Sequence, residues 1–212
     1  PEYQVTMSLH RTNISVAYVT CFEKVPFDPS RFNLTTYHLS CTRRNSDECH
    51  EAVPYLQFIY DHYNDLDGKM VFVHGHEFSW HYKQSVFTQV RNRIESQQFR
   101  QDDYGTIYPH LLHQYVPWRT TKLYRELFYD IFHNTSMMKY YNLSSTRFYC
   151  CATFFVDVKN FKLRPRYEYK LFIERLKNYS HHHINAAVPC GTLLEYTWHL
   201  LLGDKPLIYY NP

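Results

Sequence analysis

Glu51-Ala-Val-Pro-Tyr-Leu-Gln-Phe-Ile-Tyr-Asp-His-Tyr-Asn-Asp-Leu-Asp-Gly-Lys-Met-Val-Phe-Val-His-Gly-His76 holds, in one stretch, the alternation that decides the fold. Its first half predicts a helix from Glu51 to Tyr63. Pro54 falls in the first turn, where a missing amide hydrogen costs little, and Val53, Leu56, Ile59 and Tyr60 share a face. Asn64-Asp-Leu-Asp-Gly68 is turn chemistry. Met70-Val-Phe-Val73 is short and apolar, and reads as a buried strand running into His74-Gly75-His76.

The same alternation extends outward. Ile14–Phe22 reads as a buried β-branched and aromatic strand, and Thr35–Cys41 as a second. Phe148–Asp157 carries the strongest strand pattern of the chain. Helices are predicted around Ser85–Gln97, over Lys122–Phe132 with Thr121 as cap, over Tyr167–Asn178 and over Gly191–Leu202, the last ended by Gly203 and Pro206. Pro206–Tyr210 reads as a final strand. Residues 99–120, with Gly105, Pro109 and Pro117, read as an aromatic, ordered loop over the sheet. Strands alternating with helices at these spacings predict an α/β fold: a single domain over residues 1–212, with a mostly parallel central sheet flanked by helices.

Compartment follows from other residues. Asn13, Asn33, Asn134, Asn142 and Asn178 all stand in N-x-Ser/Thr acceptor sequons, where chance among 11 asparagines gives about one or two. A glycosylation acceptor needs the secretory lumen and a surface position. Six cysteines, Cys21, Cys41, Cys49, Cys150, Cys151 and Cys190, agree with an oxidising compartment. Their pairing is open among fifteen arrangements, although Cys41 and Cys49 are placed to close a short loop, and adjacent Cys150 and Cys151 on a strand point to opposite faces. A start at Pro1 without Met is expected of a mature product after signal removal. No apolar run reaches the ~18 residues of a membrane span. The expectation is a secreted or lumenal, disulfide-containing glycoprotein.

Composition also removes function classes. Five glycines are too few for a Gly-rich phosphate cradle, and a net charge of +3 with scattered short basic clusters asks for no nucleic acid. No G-x-S-x-G elbow is present.

Ligands of open α/β sheets sit beyond the carboxyl ends of the strands. That rule selects Thr20–Glu23, then His74-Gly75-His76-Glu77 with Trp80 and His81, and then the helix carrying Glu195, Trp198 and His199. Two imidazoles two residues apart in an extended chain lie on one side, and with Glu77 they form a donor set suited to zinc or manganese. The bland alternative for them is hydrogen-bonded histidines near a strand end. Glu195, in an otherwise apolar helix, is a candidate general base whose burial raises its pKa; the alternative is a structural ion pair with an Arg. His181-His182-His183 reads as a solvated loop.

Several stretches in order carry a resemblance: Glu51 through Leu66, Val71-Phe-Val-His-Gly-His76, Ser79-Trp80-His81, Cys150-Cys-Ala-Thr-Phe-Phe-Val156, Arg164-Pro165, Tyr169, and Glu195-Tyr-Thr-Trp198-His199. Over residues 14–210 they resemble the domain-of-unknown-function family numbered thirty-four thirty-one. Its layout is similar to a compact glycosyltransferase of GT-A type. The resemblance implies a nucleotide-sugar donor across Thr20, Glu23, His74 and His76, Trp80, His81, Trp198 and His199 around the sugars, and Glu195 as base toward a glycan or protein acceptor. Such enzymes hold a divalent metal on Asp-x-Asp. This chain has His74-Gly75-His76 there, so a metal would need that other ligand set. The rival expectation is a non-catalytic secreted glycoprotein, binding carbohydrate or other extracellular proteins.

Overall fold

The computed structural model describes residues 4–6, 13–21, 27–41, 49–78, 83–108, 114–116, 122–142, 146–148, 152–182 and 190–203. Glu23, Trp80, His81, Cys150, Cys151 and the strand expected over Pro206–Tyr210 lie outside them. The strands are β1 (Gln4–Thr6), β2 (Ile14–Thr20), β3 (Thr35–Ser40), β4 (Lys69–His74), β5 (Tyr104–Thr106), β6 (Gln114–Val116), β7 (Thr146–Phe148) and β8 (Phe154–Asp157). The α-helices are α1 (Ala52–Asp61), α2 (Val86–Glu95), α3 (Gln97–Gln101), α4 (Lys122–Phe132), α5 (Arg166–His182) and α6 (Cys190–Gly203).

Six strands form one sheet in the order β1-β3-β2-β4-β8-β5, and β6 pairs with β7 in a separate ribbon. At the centre, β2 is parallel to β3 on one side and to β4 on the other. The remaining pairs, β1–β3, β4–β8 and β5–β8, are antiparallel. The sheet is therefore mixed, which corrects the expectation of a mostly parallel one. An apolar run reports burial but not chain direction: of the single strand expected over Phe148–Asp157, Phe148 ends β7, and only Phe154–Asp157 forms β8, which returns against β4. Residues 99–120, expected as an ordered loop, instead hold the end of α3, the edge strand β5 and β6, elements too short to show a period.

Alternation along the pleat splits the apolar residues between two cores. Ala17, Val19, Met70 and Phe72 face the helices α1, α4, α5 and α6, in a core centred on Tyr55, Phe154, Tyr169 and Trp198. Val16, Val71, Val73 and Phe155 face α2 and a 3-10 turn over Pro29–Phe32. Helix α1 is apolar nearly all round because it lies between sheet and α5; Ala52, Val53, Tyr55, Leu56, Phe58 and Ile59 are all buried. Helix α6 is likewise central, and Glu195 is its one acidic residue.

Two features fix the last helix. Arg164 is 2 % exposed and donates to the Leu200 carbonyl at 2.8 Å, placing a cation on the final turn of α6, where the helix dipole favours it. At the other end Cys190 is bonded to Cys49, ahead of α1, while Cys21 is bonded to Cys41 across the ends of β2 and β3. The short Cys41–Cys49 loop is thus not the pairing adopted.

Candidate functional site at the carboxyl edge of the sheet

The chain leaves β2 for β3 on one side and returns to β4 on the other, so the strand order reverses at β2 and β4. Crevices at such reversals are where open α/β sheets bind ligands. Here the two strand ends approach closely: the Gly75 amide donates to the Val19 carbonyl at 2.6 Å. A side chain at position 75 would run into the Thr20 methyl and lie 2.8 Å from the Val19 carbonyl oxygen, so only glycine fits. Beyond that point β4 delivers His74 and His76, half-buried, with rings stacked at 5.1 Å and 21°.

Helix α1 begins at the same edge, because β3 ends there. Its lead-in carries two successive residues with positive φ, Cys49 at 68° and His50 at 53°. Left-handed backbone at two non-glycine positions in a row is costly, about 1–3 kcal/mol each, and is held only where the surroundings enforce it. They do so here: the Ala52 amide donates to the Cys49 carbonyl at 3.1 Å, and Cys49 is bonded to Cys190. Gly191, second residue of α6, packs so closely that a Cβ would sit 3.1 Å from both the Cys49 carbonyl oxygen and the His50 ring. The amino ends of α1 and α6 are thereby clamped together.

That clamp brings two carboxyl groups into one electrostatic neighbourhood. Glu51 opens α1 and is 5 % exposed. Burial pushes its carboxyl above the ordinary range, against smaller opposing influences from its own amide and the nearby His50 and His76. Glu195, a turn and a half into α6, is pushed up to about 8, first by burial and then by the charge of Glu51. Two such groups share protons as a pair, and at neutral pH the second does not readily ionise beside the first. Tyr196, next along, hydrogen-bonds Tyr124 from α4, and burial with that bond keeps its phenol protonated.

The expected site residues therefore divide. His76 and Glu195 each interact electrostatically with Glu51, and His74 stacks on His76. Glu77 turns away: its carboxylate accepts from Arg31 at 2.8 Å, which holds it below the usual range. The His74, His76 and Glu77 trio does not assemble, and among the described residues no group of three or more His, Cys, Asp or Glu is placed to hold a metal ion. Thr20 hydrogen-bonds His38, which stacks on Tyr18 on the face that carries α2. Trp198 is 1 % exposed, packed against Phe154 at 5.4 Å and Tyr55 at 6.0 Å, so it is core rather than a sugar platform. His199 is buried too, and burial takes its pKa down to about 3.

Glu51 was the residue that sequence reasoning passed over as a helix start. The signal available was its position: Glu51 and Glu195 each head one of the family-like motif stretches, and each is an acid facing a run of apolar neighbours.

Fold and site together define an α/β domain with a mixed sheet and, at its topological switch point, a carboxyl pair of buried Glu51 and half-buried Glu195. The chain belongs to the family described as protein of unknown function DUF3431, whose model matches residues 30–210. No curated protein and no solved structure matches it.

Proposed function

We propose that this chain is a secretory-pathway transferase that moves a sugar from a nucleotide donor to a hydroxyl acceptor on a glycan or protein. The observation that carries the reading is the Glu51–Glu195 pair beside His76 at the carboxyl edge of the sheet. In the reaction the acceptor oxygen bonds the anomeric carbon, that carbon's bond to the donor diphosphate breaks, and the acceptor proton passes to a carboxylate. Glu195 suits the last task. With a pKa of about 8 it binds a proton strongly enough to take one from a hydroxyl as the new bond forms. Burial, and after it the charge of Glu51, raises that basicity. No step is routed through a metal, because the expected ligand trio does not come together.

The resemblance to GT-A enzymes supports placing the donor over the ends of β2 and β4. The secretory setting is supported by the two disulfides and by the sequons, since Asn13, Asn33, Asn134, Asn142 and Asn178 are all exposed. The same exposure favours a second reading, a non-catalytic secreted glycoprotein that binds carbohydrate. Among the described residues no helix is long and apolar enough to cross a membrane.

A melting-temperature panel of nucleotide sugars, with and without manganese, separates the two. A donor that raises the melting temperature of both wild type and Glu195→Gln, with turnover lost only in the variant, supports the transferase. Absence of any donor effect, together with specific glycan binding, replaces it with the second reading.

A further inference from the structure

The 3-10 turn over Pro29–Phe32 and helix α2 enclose a groove of about 260 Å³ on the sheet face opposite the carboxyl pair. Its walls include Arg31, Phe32, Asn33, Arg91, Ile94 and Glu95. One of these is a sequon asparagine. Asn33 caps the turn in the left-handed conformation, φ 52°, which asparagine tolerates better than most residues. It is exposed, and Thr35 supplies the hydroxyl of Asn33-Leu34-Thr35.

We propose that this groove is the seat of an N-linked glycan carried by Asn33 itself. The inference rests on the secretory setting given above, not on the transferase chemistry. An N-acetylglucosamine ring has apolar C–H faces and a rim of hydroxyl and acetamide groups. The groove matches both parts. Half-buried Phe32 and Ile94 offer apolar contact, and the exposed Arg91 and Glu95 offer a donor and an acceptor. Arg31 is already fixed as a wall, its guanidinium 4.0 Å over the Phe87 ring and bonded to Glu77 at 2.8 Å. Attachment at the rim removes most of the entropic cost of binding, because the sugar is delivered at high effective concentration. The modification joins Asn33 Nδ2 to the anomeric carbon of a lipid-linked oligosaccharide diphosphate. That carbon's bond to the diphosphate breaks, and the amide proton leaves with the diphosphate.

The test is a four-way comparison of the full chain secreted from eukaryotic cells: wild type, Thr35→Ala, Ile94→Ser and the double variant. Occupancy is read as conversion of Asn33 to Asp by a glycosidase, in peptide mass spectra. Thr35→Ser is the control that keeps the sequon. Expected are an occupied Asn33, a melting-temperature loss of about 2–4 °C for Thr35→Ala in the native groove, and a loss under about 1 °C in the Ile94→Ser background. An unmodified Asn33, or an equal loss in both backgrounds, overturns the proposal. Neither result bears on donor binding or on turnover at Glu195, so failure here is distinguishable from failure of the transferase reading.

Discussion

Glu195 concentrates the chemistry of the site in one carboxyl group. Folded, it keeps its proton up to about pH 8; unfolded, it releases it near 4.5. Between those values the native state binds more protons than the unfolded one, so this group lowers stability as pH rises through the window, with no further loss above about 8. Glu51, also raised, acts in the same direction. His199 acts oppositely: held neutral by burial with a pKa of about 3, it costs stability as pH falls from 6.5, where the unfolded imidazole takes up a proton. Urea midpoints measured against pH are expected to show both limbs. Glu195→Gln should match wild type near pH 4 and exceed it at pH 9 by on the order of a few kcal/mol. Under the transferase proposal, turnover should behave differently. The wild-type rate is expected to climb toward a limb near pH 8 as the carboxylate form accumulates, and Glu195→Gln to lose about 10²–10⁴-fold. A variant with an unchanged rate would remove Glu195 from the mechanism.

At the scale of elements, the carboxyl pair exists because two helix amino ends are fastened together. The Cys49–Cys190 bond spans 141 residues of sequence. Closing so long a loop restricts the unfolded chain strongly, and loss of the bridge in a Cys49→Ala/Cys190→Ala variant is expected to cost about 2–5 kcal/mol in denaturant unfolding. The same variant should bring the Glu195 pKa back toward the carboxylate range, because α6 is no longer held against Glu51; a pH–rate limb that stays near 8 would contradict the clamp. Local pattern already marked these helices. Lys122–Phe132 is read from sequence with the ends it has in the structure, and α1, α5 and α6 differ from their expected ends by a few residues. Pattern failed for β5, where three residues including Gly105 make an edge strand only because Phe154–Val156 lies alongside. It failed again for the direction of β8, which no alternation of polar and apolar residues encodes.

In the molecule as a whole, two cores lie on either side of one sheet, and Trp198 belongs to the one beneath the site. Trp198→Ala is expected to lower unfolding free energy by about 3–5 kcal/mol, as removal of a large buried aromatic does, while Trp198→Phe leaves any sugar affinity unchanged. A selective loss of affinity in Trp198→Phe, without loss of stability, would return this residue to the binding surface. The α/β class, the helices and the central strands were all legible from residue order, because hydrophobic period and turn residues are local signals. Strand direction, the Cys49–Cys190 pairing and the meeting of Glu51 with Glu195 were not. Each depends on groups far apart in the chain, and their proximity is set by how α1 and α6 pack against the sheet, a property of the assembled core that no segment carries by itself.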